Sequence, residues 1–454
     1  MPLDPYFDEM LRAKRVDTFA GVRAQIVDAV RGILPFAVPP APSGPTPPSA
    51  SATFLFGADS VGNPSAAPKA ARGLASAVAP STPTGAEGSA PEKPTSRPAS
   101  RSHPAPPPPP PLSRDAQRAH EREKKALRKT AAWKYRNAQK WDTKLYNKVG
   151  WPAPELASDD HTVAVPGYPD VRVRIYRPDD AAPRIPAVIT FFGGSFQLGG
   201  IDWTSVDASY RLRTRDSGVA HVAVDYSRAP EWRYPTPVEQ GYATLAWLVE
   251  NADDLGIDIG RIAVNGTSAG GNIAAATALM NRDRMNHPLA LQLLEVPVTD
   301  LTGSHIDLGP IRAMGIPTFL ARRELTSVPQ TYLGDRSRDR ERYASPLLAD
   351  DLSGLPPAHV FTSEYDALRA DGQAYAAALR RAGVEAHAVQ YQGANHEAAM
   401  FTAVVPLARR WHHDAVAVLR TLHEDGDVGD DDGADGRGHR ATQTAAQSTD
   451  AQKS

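Results

Sequence analysis

Between residues 151 and 420 the apolar positions fall into short β-branched runs that alternate with helical stretches. Runs at 171–176, 187–192, 219–226, 261–265, 291–298, 359–363 and 386–391 read as strands, while 245–251, 269–281, 372–382 and 404–419 carry helical spacing. Strand and helix in alternation predict an α/β domain with a mostly parallel sheet covered on both faces. Upstream, Phe7, Met10, Leu11, Phe19, Val22, Ile26, Val30 and Ile33 recur mostly three or four apart, so 1–36 reads as an N-terminal helical segment.

The segments outside these patterns differ in kind. Residues 37–112 hold nearly half of the 42 prolines. Such a segment cannot bury enough apolar area to offset the entropy of ordering it, so it reads as a disordered linker or insertion. Its one apolar knot, Phe54-Leu55-Phe56, is taken as incidental. Residues 113–150 are basic and helical, with Trp133, Tyr135, Trp141, Leu145 and Tyr146 interleaved. Two readings compete there: a patch for nucleic acid or an anionic surface, and a solvated helix whose aromatic stripe packs on the next domain. Glu121 and Glu123 dilute the run and favour the second. Residues 421–454, acidic and then polar with interspersed glycines, read as a disordered tail.

Charge and composition mostly exclude. A net charge of −2 over 454 residues makes no case for nucleic acid or an anionic membrane surface as partner of the whole chain. The absence of cysteine removes disulfides, thiolate metal sites and a thiol nucleophile, and fits a reducing cytoplasm. The opening MPLDPYFDEMLRAKR lacks an apolar signal core, and no apolar run reaches the ~18 residues of a membrane span. The expectation is a cytoplasmic protein.

Candidate chemistry centres on Gly266-Thr267-Ser268-Ala269-Gly270, a G-x-S-x-G sequence between a predicted strand and a predicted helix. That context is what a nucleophile elbow requires: a sharp turn with Ser268 at its apex, small flanking residues, and a helix N-terminus aimed at the site. A serine needs a base that is neutral near pH 7. Of the 13 histidines, His396 follows the last predicted strand, where such sheets place catalytic groups. His412, His413 and His423 fall in or after the last helix, where surface positions are expected. For the acid, Asp366 lies just after the strand that precedes the one leading to His396. Asp300, also after a strand, is its rival; Asp371 is a third choice, otherwise a helix cap. Gly193 and Gly194 end another strand, and with the amide of Ala269 they are candidate oxyanion donors.

Several ordered blocks resemble the bacterial hormone-sensitive-lipase-like esterases of the α/β-hydrolase fold. They are Phe192-Gly193-Gly194-Ser195-Phe196, Asp225-Tyr226 leading to Ala229-Pro230-Glu231, Gly266 to Asn272, Ala344-Ser345-Pro346-Leu347, Glu364-Tyr365-Asp366, and Asn395-His396-Glu397. The resemblance implies a Ser268–Asp366–His396 triad, oxyanion donors Gly193, Gly194 and Ala269, and a helical cap. It places 1–36 at the start of that cap, 113–150 in the rest of it, and Trp133 and Trp141 in a cap or substrate-pocket role. The family's usual HGGG reads FGGS here, and its usual HGF reads His396-Glu397-Ala398, departures that bear on substrate preference. The implied activity is serine carboxylic-ester hydrolysis of small to medium esters, without metal or organic cofactor. An amidase, lactonase or deacetylase on the same site, and a non-catalytic small-molecule receptor, are the alternatives.

Overall fold

In the computed structural model, residues 114–179 and 182–424 are described, with side-chain surroundings from residue 132 onward. The expectations for 1–36 and 37–112, and for 421–454 beyond residue 424, lie outside them.

Eight strands form one sheet: β1 (Ser158–Val163), β2 (Val171–Tyr176), β3 (Ile185–Phe191), β4 (Ala220–Val224), β5 (Ile257–Thr267), β6 (Leu291–Glu295), β7 (Ala358–Tyr365) and β8 (Ala386–Asn395). Their order is β1-β2-β4-β3-β5-β6-β7-β8. β1 and β2 pair antiparallel, as do β2 and β4; from β4 to β8 every pair is parallel. Every residue of β3, β4 and β6 is buried, including the polar Thr190, His221, Gln292 and Glu295 that interrupt their apolar runs.

Alternation within a strand feeds two cores. Ala187 and Ile189 of β3 join the larger cluster with α3 (Thr236–Glu250), α4 (Ala269–Asp283) and α7 (Arg369–Arg381), whereas Val188 points to the opposite cluster. There it meets Trp411, Ala415 and Leu419 of α8 (Pro406–Arg420). Helix α2 (Thr204–Ser217) packs on α8.

β1 escapes pattern reading because its sequence, SDDHTV, has no β-branched run. It is an exposed edge strand whose register is set by its neighbour: Asp160 lies opposite Arg174 and pairs with it at 2.6 Å. α2 was also illegible, because its buried face includes Arg213, Thr214 and Ser217.

Helix α1 (Arg114–Val149) is continuous and approaches the chain that follows β3: Asp142 accepts hydrogen bonds from Ser205, Tyr135 meets Trp203 edge-on, and Thr143 bonds Thr204. Between β6 and β7, α5 (Gly309–Ala313) and α6 (Thr318–Leu333) build a small apolar cluster with Ala367. These two helices have no counterpart among the elements expected from sequence. Among the described residues no helix is long and apolar enough to cross a membrane.

Candidate active site

β5 delivers Ser268 to the C-terminal edge of the sheet, and α4 begins one residue later. Ser268 has φ 56° and ψ −117°, a backbone conformation that side chains rarely adopt. The flanking glycines are sterically required. A Cβ on Gly270 would stand 2.1 Å from the carbonyl oxygen of Phe191, and one on Gly266 would stand 2.1 Å from that of Gly270. The strained turn is pinned from below, since the Ser268 N–H donates to the carbonyl of Glu295 at 2.8 Å. Asn272, one turn into α4, donates to the carbonyls of Val298 and Ala344 and ties the helix to two loops.

Loops after β8 and β7 bring the other predicted residues to Ser268. His396 Nε2 lies 3.0 Å from Ser268 Oγ, and His396 Nδ1 lies 2.8 Å from Asp366 Oδ2. A carboxylate can only accept, so Nδ1 carries the proton and Nε2 is left to accept from the serine hydroxyl. Asp366 is buried, and its Oδ1 accepts the Leu368 N–H at 2.9 Å. Burial opposes a charge on His396, but the adjoining Asp366 carboxylate outweighs it and pushes the imidazole pKa up to about 9, with Glu397 adding in the same direction.

Gly193 lies against the elbow: a Cβ there would be 3.2 Å from the Thr267 carbonyl and 3.5 Å from Ser268 Cβ. Gly194 has φ +136°, and a Cβ would stand 2.3 Å from the Leu198 carbonyl oxygen. Among the described residues the N–H groups of Gly193, Gly194 and Ala269 are engaged in no backbone hydrogen bond, which leaves them available to an incoming oxygen. Phe192, where the resembled family has histidine, is buried and stacks on Tyr226 at 4.2 Å, and the Tyr226 hydroxyl donates to the Phe192 carbonyl. Ser195, in place of the third glycine, takes φ 54°.

The rivals lie elsewhere. Asp300 Oδ2 pairs with Nδ1 of His305, not with His396. Asp371 sits in the first turn of α7 yet does not cap it. Its carboxylate instead accepts the N–H groups of Thr299 and Asp300, and burial raises its pKa to about 7. His413 and His423 are exposed, as expected, but His412 is buried with its Nε2 2.7 Å from Asp216. Trp133 and Trp141 are 62% and 45% exposed.

Sequence reading missed the support beneath the elbow. The Glu295 carboxylate, 1% exposed, accepts from the two terminal nitrogens of the Arg213 guanidinium at 2.6 and 2.7 Å, from Trp411 Nε1 at 2.6 Å and from Asn265 Nδ2 at 3.1 Å. Burial works against its charge, but Arg213 and these hydrogen bonds prevail and hold its pKa below the usual carboxylate value. Nothing in the local pattern flags it, because Arg213 is 82 residues away in sequence. Glu295→Ala leaves Arg213 buried and unpaired, so stability is expected to fall by roughly 3–5 kcal/mol. The double change Arg213→Met/Glu295→Met should recover part of that loss in urea unfolding, since no buried charge is then left alone although Trp411 Nε1 and Asn265 Nδ2 lose an acceptor.

A family described as alpha/beta hydrolase fold matches residues 188–400. Carboxylesterase NlhH of Mycobacterium tuberculosis is 38% identical over 277 residues, 60% of this chain and 84% of that protein. Carboxylic ester hydrolase LipN of the same organism is 36% identical over 239 residues, 51% of this chain and 62% of that protein. Among solved structures, a hyperthermophilic esterase from the archaeon Pyrobaculum calidifontis superposes with a TM-score of 0.58 at 36% identity, covering 65% of this chain and 91% of that one. With the strand order, the strained serine and these likenesses together, the chain belongs to the hormone-sensitive-lipase-like carboxylic ester hydrolases of the α/β-hydrolase fold.

Proposed function

We propose that Ser268, His396 and Asp366 are the nucleophile, base and orienting acid of this carboxylesterase, acting on small to medium esters. The continuous chain of hydrogen bonds from Asp366 through His396 to Ser268 carries the assignment. Ser268 Oγ attacks the ester carbonyl while His396 Nε2 takes its proton. Negative charge grows on the carbonyl oxygen, which moves toward the free amides of Gly193, Gly194 and Ala269 and the N-terminus of α4. Each such donor is worth about 3 kcal/mol of barrier. His396 then protonates the leaving alkoxide, and water, deprotonated by the same nitrogen, releases the acid from Ser268. The chemistry draws on side chains, backbone amides and water.

A fluorophosphonate tests the assignment, because it is attacked by an activated serine whatever the natural ester. It is expected to label Ser268, located by peptide mass spectrometry, with no labelling of the Ser268→Ala protein. The base must be neutral to act. With its pKa raised toward about 9, the neutral fraction of His396 grows as pH rises, so labelling should accelerate from pH 6 to 9 along an acid limb displaced above the ordinary imidazole value of 6.5. Labelling at another serine, or a rate flat across that range, overturns the assignment.

A further inference from the structure

The outer face of α1 has no role in the chemistry above. In the segment 132–149 the side chains divide cleanly by face. At 100° per residue, Tyr135, Asp142, Tyr146 and Val149 fall within about 60° of one another and turn inward. Asp142, Tyr146 and Val149 are buried, and Asp142, the only acid of the segment, is held by Ser205. On the other side Trp133, Arg136, Lys140, Trp141, Lys144 and Lys148 fall within an arc of about 140°, all of them exposed. The stripe runs for about 22 Å at 1.5 Å per residue. Among the described residues none of its four cations has an ion-pair partner.

We propose that this face is a docking surface for an anionic lipid bilayer, on which α1 lies parallel to the membrane plane. Charge complementarity argues for an anionic partner, since among the described residues the four cations of the stripe meet no acid. The two indoles argue for lipid rather than nucleic acid. Trp side chains settle at the headgroup boundary, where the ring is apolar and its N–H stays wet, and cations on the same face meet the phosphates. The exposure of Trp133 and Trp141, 62% and 45%, is otherwise a cost in water that the described residues leave uncovered. The inner face of α1 reaches Trp203 and Ser205, which follow the Gly193–Gly194 loop, so a docked α1 would hold the catalytic edge of the sheet close to esters dissolved in the bilayer. The inference is independent of the triad assignment.

Co-sedimentation of the full chain with vesicles tests it. Vesicles of phosphatidylcholine mixed with phosphatidylglycerol are expected to bind the protein, and vesicles of phosphatidylcholine alone to bind it far less. Added salt should weaken the binding. Lys140→Glu/Lys144→Glu should reduce partitioning roughly tenfold or more, because each lysine near an anionic surface contributes about a fivefold factor. Its hydrolysis of a water-soluble short-chain p-nitrophenyl ester should match the parent's. Trp133→Ala/Trp141→Ala should also bind more weakly and lose the blue shift of tryptophan emission that accompanies insertion. Equal binding to both vesicle types, or undiminished binding by the charge-reversed variant, overturns the proposal. Duplex DNA bound in preference to the mixed vesicles, and lost on charge reversal, also overturns it and reassigns the stripe to nucleic acid.

Discussion

Ser268→Ala is expected to yield a folded protein whose kcat for a short p-nitrophenyl ester falls by about 10⁶-fold, close to the limit seen when a triad nucleophile is removed. The fold should survive because the side chain makes a single hydrogen bond, to His396 Nε2, and the positive φ of residue 268 strains alanine as much as serine. The pins on the turn are backbone groups that alanine retains: the N–H to Glu295 and the carbonyl that receives Asn272 N–H at 3.1 Å. Thermal unfolding should therefore coincide with the parent's. A residual rate of about 10³–10⁴ over water can persist, because the amides of Gly193, Gly194 and Ala269 still greet the oxyanion. Parental turnover in the alanine protein, after the absence of wild-type contamination is verified, would refute the nucleophile.

Asp366→Asn is expected to cost roughly 10⁴-fold in kcat, against less than about tenfold for Asp300→Asn. Asp366 Oδ1 accepts the Leu368 N–H, so an asparagine at 366 would turn its oxygen toward that donor and its amide NH2 toward His396. A donor facing Nδ1 forces the proton onto Nε2, and the imidazole can then no longer accept from Ser268. The charge that raises the His396 pKa is lost at the same time, so the acid limb of the pH profile should move down as the rate collapses. Asp300 serves His305 and the Thr302 N–H, and its amidation should be felt in stability by about 1–3 kcal/mol. Equal losses in the two variants, or a larger one at 300, would assign the acid differently.

Much of this site could be read in one dimension because its parts obey local rules. The small residues around Ser268 answer a steric demand, as the 2.1 Å clashes of a Cβ at Gly266 and Gly270 show. Gly193, Asp366 and His396 each follow a parallel strand, and the C-terminal edge of such a sheet gathers whatever its strands end in. The parts that could not be read depend on partners far away in sequence. Edge strand β1 has no pattern of its own and exists through pairing with Arg172 and Arg174. Asp371 looked like a cap for its own helix and instead serves a loop 71 residues upstream, at Asp300.

Local order in the chain was thus enough for the fold class, for the serine at its bend and for the candidate base and acid, since steric limits and hydrophobic period act between near neighbours. Which face of α1 is covered, and with it the exposure of Trp133 and Trp141, was settled by packing against residues 203–205. The buried Arg213–Glu295 pair beneath Ser268 arose the same way, where β6, α2 and α8 converge. The burial and pairing of Arg213 and Glu295 are properties of the assembled surfaces, and no local window of sequence contains both partners.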